Sequence, residues 1–273
     1  MSGAMATREI TRGAMEFDVD GAGPPACLVH QYRQVSTRQP IAEALLPRLR
    51  VHAVNPVGFG LESTGADLGM TAFADDLAEF HATGAIPPWV MIGGSTGGMV
   101  ALLHTLRHPQ RVRGLILIGT AASHRFTTGS LADPAHPRAA EAAAAHALLD
   151  SGPEGTAAYR AAMFQLSVAD PHHTPPPPPD RDGTTSTPRL QSFLTELDNF
   201  DLEPQLPTIN CPTLVLVGRH DPQCPLPNSE RIAAAIPGAQ LVVFEHSGHY
   251  PYLEEPGLFE RVVGEWIEEQ LRG

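Results

Sequence analysis

Six short, continuous apolar runs dominate the pattern of this 273-residue chain: Ala26–His30, Val51–Asn55, Val90–Ile92, Leu115–Ile118, Thr213–Val217 and Leu241–Phe244. Each is bounded by Gly, Pro or polar residues, as expected of strands covered on both faces of a parallel sheet. Between them, Thr71–Ala82, Thr96–Arg107, Pro227–Ala235 and Pro256–Leu271 repeat apolar residues at helical spacing. Thr71 and Asp75 suit a helix start, and Pro109 suits a stop beyond His108. Strand–helix alternation predicts an α/β architecture with a doubly wound, mostly parallel sheet.

The alternation breaks between Ala121 and Pro207. Ala139–Leu149 and Thr156–Leu166 carry helical patterns, and Gln191–Phe200 resumes a short helix. His172–Pro188 contains five consecutive prolines, which rule out helix or central strand there and leave a mobile or semi-rigid loop. A polyproline ligand for a partner domain is the competing use of such a run. The expected organisation is a core of residues 1–120 and 208–273, with residues 121–207 as an inserted helical cap carrying the Pro-rich loop.

Composition excludes several function classes. The formal charge is −12, and all 18 Lys+Arg residues are Arg. No cationic stripe is available for nucleic acid, and without Lys there is neither a Schiff-base lysine nor a Walker lysine. No apolar run is long enough to span a bilayer, and the first fifteen residues, which contain Arg8, Glu9 and Arg12, have no apolar signal core. Ser2–Ala6 is set aside as a loose terminus. Cys27, Cys211 and Cys224 form neither a disulfide framework nor a zinc motif, so a reducing, cytoplasmic setting is expected.

Gly93-Gly94-Ser95-Thr96-Gly97-Gly98 follows one predicted strand and opens one predicted helix. A nucleophile on a sharp strand-to-helix turn needs small neighbours, because its backbone is strained and adjacent chains pass close by. The turn exposes the serine oxygen and aims helix N–H groups at a developing oxyanion. A dinucleotide loop would need GxGxxG spacing, which is absent; a glycine turn with an inert serine is the other alternative. Asp221 follows the strand Thr213–Val217 and His249 follows Leu241–Phe244, so both leave carboxyl ends of strands, where open α/β sheets build sites. The order Ser95, Asp221, His249 is that of a nucleophile-elbow triad.

On these motifs the chain resembles the α/β-hydrolase fold superfamily over nearly its whole length. Its second half is most similar to the proline iminopeptidase-like branch, through Cys211-Pro212-Thr213-Leu214-Val215-Leu216-Val217-Gly218-Arg219-His220-Asp221 and Phe244-Glu245-His246-Ser247-Gly248-His249-Tyr250-Pro251. Asn55-Pro56-Val57-Gly58-Phe59-Gly60-Leu61-Glu62-Ser63 stands in place of the family's D-x-x-G-x-G-x-S loop, with Asn55 for the usual Asp. Where the family has His-Gly-x after its third strand, this chain reads His30-Gln31-Tyr32-Arg33-Gln34. The resemblance places the oxyanion N–H groups on Thr96 and Tyr32. Because Gln31 departs from it, the expectation is that the loop is reshaped or the hole weakened, or else that Gln31, Tyr32 and Arg33 face the ligand.

The implied enzyme is a serine hydrolase without a cofactor or metal, acting on a small-molecule ester or amide. Phe59, Tyr32 and Tyr250 suggest a pocket for a small or medium apolar group. Two alternatives stay open. One is a non-hydrolytic enzyme of the same fold, performing acyl transfer, cyclisation or carbon–carbon bond formation. The other is an aminopeptidase, for which the resemblance makes Glu196 the candidate holder of a substrate amine. His172 and His173 read as solvated, His220 as a neighbour of the acid rather than the base, and His124 and Arg125 as surface or cap entrance.

Overall fold

The computed structural model describes residues 5–59, 67–178, 181 and 183–271. Eight strands form one sheet: β1 (Ala6–Ile10), β2 (Gly13–Asp20), β3 (Pro25–Val29), β4 (Arg50–Val54), β5 (Trp89–Gly94), β6 (Val112–Ile118), β7 (Thr213–Gly218) and β8 (Gln240–Phe244). Their order is β1-β2-β4-β3-β5-β6-β7-β8. The pairs β1–β2 and β2–β4 are antiparallel, and the rest of the sheet is parallel. The helices are α1 (Pro40–Glu43), α2 (Met70–Thr83), α3 (Thr96–Arg107), α4 (Ala139–Ala147), α5 (Gly152–Ser167), α6 (Thr187–Glu196), α7 (Leu226–Ala235), α8 (Pro251–Glu254) and α9 (Pro256–Gln270).

The parallel strands are apolar throughout because both of their faces are buried. In β5, Trp89 and Met91 join one core cluster with Phe73 and Leu77 of α2 and Met99 of α3. Val90 and Ile92 join a second with Phe259, Val263 and Trp266 of α9. The six expected strands are therefore present, as is the doubly wound, mostly parallel sheet.

The hairpin β1–β2 was not expected from the sequence. Its edge position leaves β2 half-exposed, so Met15-Glu16-Phe17-Asp18-Val19-Asp20 alternates instead of running apolar. Ala6, set aside with the terminus, begins β1 and pairs with Phe17.

Between β6 and β7 the chain leaves the sheet and forms α4, α5 and α6. Two of these boundaries differ from expectation. Helix α5 starts at Gly152, with Pro153 in its first turn. Helix α6 starts at Thr187 and includes Pro188, within the stretch read as wholly non-helical. A proline in a first turn removes an N–H that has no helical partner anyway, and the Ser186 side chain caps the Arg189 N–H. Residues 179, 180 and 182 of the Pro-rich loop lie outside the described residues, as do Gly60–Ser63 of the loop after β4. Among the described residues no helix is long and apolar enough to cross a membrane.

Helix α3, which carries the serine turn, is anchored to α2 by His104. This residue is fully buried, and its Nδ1 donates to the Ala74 carbonyl at 2.8 Å. Burial pushes the imidazole down to about 4 from its ordinary 6.5. The unfolded chain therefore takes up this proton first as pH falls, so stability is present above 6.5 and is lost towards 4, by on the order of 3 kcal/mol. Urea unfolding across that range should show the wild type losing more stability than His104→Leu. Parallel pH curves for the two proteins would contradict this assignment.

Candidate active site

Ser95 joins β5 directly to α3 with φ 53° and ψ −127°. Among the described residues, only Ala85 shares a positive φ without being glycine. Such a backbone costs about 1–3 kcal/mol and persists only where its surroundings over-determine it. Here the Ser95 N–H donates to the Ile118 carbonyl at 2.9 Å, and the Thr120 hydroxyl donates to the Ser95 carbonyl at 2.6 Å. The flanking glycines permit the close approach. A Cβ on Gly93 would lie 2.2 Å from the Gly97 backbone, and one on Gly97 would lie 2.1 Å from the Val29 carbonyl oxygen of β3.

Asp221 and His249 leave the ends of the adjacent strands β7 and β8 and meet beside this turn. The His249 Nδ1 donates to Asp221 Oδ2 at 2.8 Å, and both side chains are buried. The other carboxylate oxygen accepts from the N–H groups of Gln223 and Cys224 at 2.8 and 2.9 Å. The His249 backbone N–H donates to the Ser167 carbonyl at the end of α5, which ties His249 to that helix. Gly119, at the end of β6, adopts φ +48°, and a Cβ there would lie 2.8 Å from Asp221 Oδ2 and 3.2 Å from His249 Nδ1.

Ser95 and His249 open onto a cavity of about 310 Å³. Tyr32, Arg33 and Tyr250 line it from the loops, while Tyr159, Arg160 and Phe164 line it from α5. The loop His30–Gln34 is braced from the insertion: Tyr32 and Gln34 pair with Ser186 and Thr184 through backbone hydrogen bonds of 2.8 and 2.9 Å. His30 is held neutral, its pKa lowered well below the usual range by burial, with the charge of Arg33 adding to the effect. Its Nδ1 accepts from the Arg33 N–H at 3.1 Å and, at a long 3.4 Å, from the Tyr32 N–H. The Thr96 hydroxyl lies against the same ring at 3.3–3.4 Å.

The structure therefore brings Ser95, Asp221, His249, Tyr32, Arg33 and Tyr250 together, and it places three other expected residues elsewhere. Gln31 is fully buried and its Nε2 donates to the Leu68 carbonyl at 2.7 Å, so it faces away from the cavity. Phe59 is buried in the turn after β4, where its N–H donates to the Pro56 carbonyl, and it is not on the cavity wall. Glu196 caps α2, accepting from the Met70 N–H at 3.1 Å; a carboxylate is favoured at that helix end. Its pKa is raised by burial. Thr96 is buried behind Ser95, and its N–H is in the first turn of α3, where no intrahelical acceptor exists.

His220, His124, Arg125, His172 and His173 are all exposed, and none lines the cavity. Tyr159, Arg160 and Phe164 went unnoticed in the sequence, since α5 reaches the site only through tertiary packing. One signal was available: the chain has four tyrosines, and all four line this cavity.

Comparison with known proteins agrees with this geometry. The family described as "alpha/beta hydrolase fold" matches residues 25–256. The pimeloyl-[acyl-carrier protein] methyl ester esterase of Xanthomonas axonopodis pv. citri (strain 306) is 30% identical over 249 residues, spanning 88% of this chain and 93% of that protein. An alpha/beta fold family hydrolase from Bacillus anthracis str. Sterne superposes with a TM-score of 0.87 at 25% identity, covering 97% of this chain and 100% of that one. A thermophilic esterase from Thermogutta terrifontis gives a TM-score of 0.70 at 27% identity, covering 98% of each chain.

The contact of Gly119 with the Asp221–His249 pair can be tested directly. If the pair takes part in the reaction, Gly119→Ala should yield a folded but destabilised protein whose kcat/KM on a simple ester falls at least about 100-fold, the effect of displacing a reacting group by about an ångström. Wild-type kinetics in Gly119→Ala would show that this close approach does not hold the pair in place.

Proposed function

Because the chain belongs to the α/β-hydrolase fold family, we propose that it hydrolyses a small-molecule carboxylic ester through an acyl-enzyme on Ser95. Esterases among its relatives support the reaction class. The carrying observation is the strained Ser95 turn sharing one cavity with the buried His249–Asp221 pair.

Each side chain has a defined task. The Ser95 Oγ attacks the ester carbonyl while His249 takes its proton, and Asp221 fixes Nδ1 as the protonated nitrogen and stabilises the imidazolium. The N–H groups of Thr96 and Tyr32 hold the oxyanion. For Tyr32 this replaces a long contact to a neutral imidazole with a charge-assisted bond, which is stronger. His249 then protonates the leaving alkoxide. Water, deprotonated by the same imidazole, attacks the acyl-enzyme and releases the acid, restoring the serine hydroxyl. The helices between β6 and β7 act as a cap, with α5 supplying cavity wall and bracing His249.

Two features favour this over the alternatives. A substrate ammonium needs a nearby carboxylate when buried, and the described cavity wall holds neither Asp nor Glu, with Glu196 committed to α2. Gln31, where this chain departs from the family's Gly, turns its side chain to the Leu68 carbonyl and is not on the cavity wall. Three unpaired cysteines, two of them buried, fit a reducing compartment such as the cytoplasm.

Ser95→Ala should fold normally and lose at least about 10⁴-fold in kcat/KM on short-chain methyl esters. Asp221→Asn should lose on the order of 10³–10⁴-fold, through the wrong imidazole tautomer. Turnover by Ser95→Ala at a rate near wild type would remove the covalent mechanism.

A further inference from the structure

Glycines stand at 93, 94, 97 and 98 around Ser95, and space dictates three of them. A Cβ on Gly93 or Gly97 would run into backbone, at 2.2 and 2.1 Å. One on Gly98 would lie 2.6 Å from the Thr120 side chain that holds the Ser95 carbonyl. Gly94 is different. It ends β5, paired with Ile118 of β6, and its φ lies outside the left-handed region that favours glycine. A Cβ there would meet the Ile118 carbonyl oxygen at 3.6 Å and the Ile41 Cδ1 at 3.7 Å, which are ordinary contact distances. Neither backbone geometry nor packing requires a glycine at this position.

What the missing side chain leaves is room. Gly94, Ile41 and Ile118 all line the Ser95 cavity, so a side chain at 94 would project into it directly beside the serine. The wall around this spot is apolar. Leu28, Val35 and Ile118 line it from a buried core layer, and Ile41 packs against that layer. Gln39 lines the cavity too, but its amide is engaged within its own loop: Nε2 donates to the Gln34 carbonyl at 2.8 Å, and Oε1 accepts from the Ser36 N–H at 3.3 Å. A polar substrate group placed here would lose water without gaining a partner, whereas an apolar chain gains by burial.

We propose that Gly94 is a specificity-determining residue: by lacking a side chain it keeps open an apolar subsite against Ile41 and Ile118, beside Ser95, that takes an alkyl chain of the ester. This rests on the esterase reading of the same cavity. The chain belongs either to the acyl part or to the leaving alcohol; the chemistry of recognition is the same.

Matched pairs test it. Ethyl hexanoate against ethyl acetate lengthens the acyl side, and hexyl acetate against ethyl acetate lengthens the alcohol. Each buried methylene is worth about 4-fold. In at least one pair the wild type should therefore favour the longer ester by about 10-fold or more in kcat/KM. Gly94→Val, which fills the space of about three carbons, should shrink that preference at least about 10-fold, and Gly94→Ala at least about 3-fold. A ratio taken within one preparation is independent of its folded fraction, and a distorted Ser95 would slow long and short esters alike. No preference in either pair, or a preference that the variants reduce by less than this, overturns the subsite while leaving the esterase intact. If Gly94→Val does not fold, Gly94→Ala decides; failure of Gly94→Ala to fold overturns the proposal, because it would show a steric need for the glycine. If no ester is turned over, the esterase reading fails on its own, and calorimetry with ethyl hexanoate and hexyl acetate decides the subsite. Binding of either one that weakens at least about 10-fold in Gly94→Val, or about 3-fold in Gly94→Ala should Gly94→Val not fold, supports it. No binding of either, or a smaller loss, overturns it.

Discussion

The left-handed backbone of Ser95 is the constraint on which the rest of this structure depends. A side chain in that conformation survives only if its neighbours leave no alternative. Four elements combine to enforce it: β5 enters the turn, α3 leaves it, Ile118 of β6 accepts the serine N–H, and Thr120 holds its carbonyl. The glycines at 93 and 97 let the turn close against its own helix and against β3. The strain is offset by the two apolar layers that sandwich β5, so the core of the sheet and the exposure of one hydroxyl are a single problem.

The same sheet positions the other two groups without further devices. Parallel strands β6, β7 and β8 end at one edge, and Gly119, Asp221 and His249 follow them there. The pair is buried and satisfied by the N–H groups of Gln223 and Cys224. The insertion between β6 and β7 contributes at one further level. Its helix α5 ends on the His249 backbone, and Thr184–Ser186 knit the loop that carries Tyr32 and Arg33. The cavity wall and the His249 imidazole thus share supports.

How much of this could be read from the sequence follows from burial. Strands covered on both faces announce themselves as apolar runs, and Ser95, Asp221 and His249 each follow one, so the sheet and the end of it where these three side chains gather were legible together. The half-exposed hairpin β1–β2 carries the weaker alternating signal, and Pro188 concealed the start of α6 by resembling a breaker where it is a first-turn residue. Side-chain direction was least accessible. Gln31 and Arg33 are two positions apart in one loop, yet one turns inward to Leu68 and the other faces the cavity. Glu196 lies in α6 but serves α2. Such choices are made by tertiary neighbours that no local pattern encodes.

The central claim is that Ser95 becomes acylated during turnover. The direct measurement is mass spectrometry of the protein after treatment with a fluorophosphonate ester, followed by peptide mapping. The account predicts a single stoichiometric adduct on the peptide containing Ser95, formed quickly in the wild type and absent in Ser95→Ala. Rapid labelling at another residue, or no labelling of a protein that turns over esters, would contradict it.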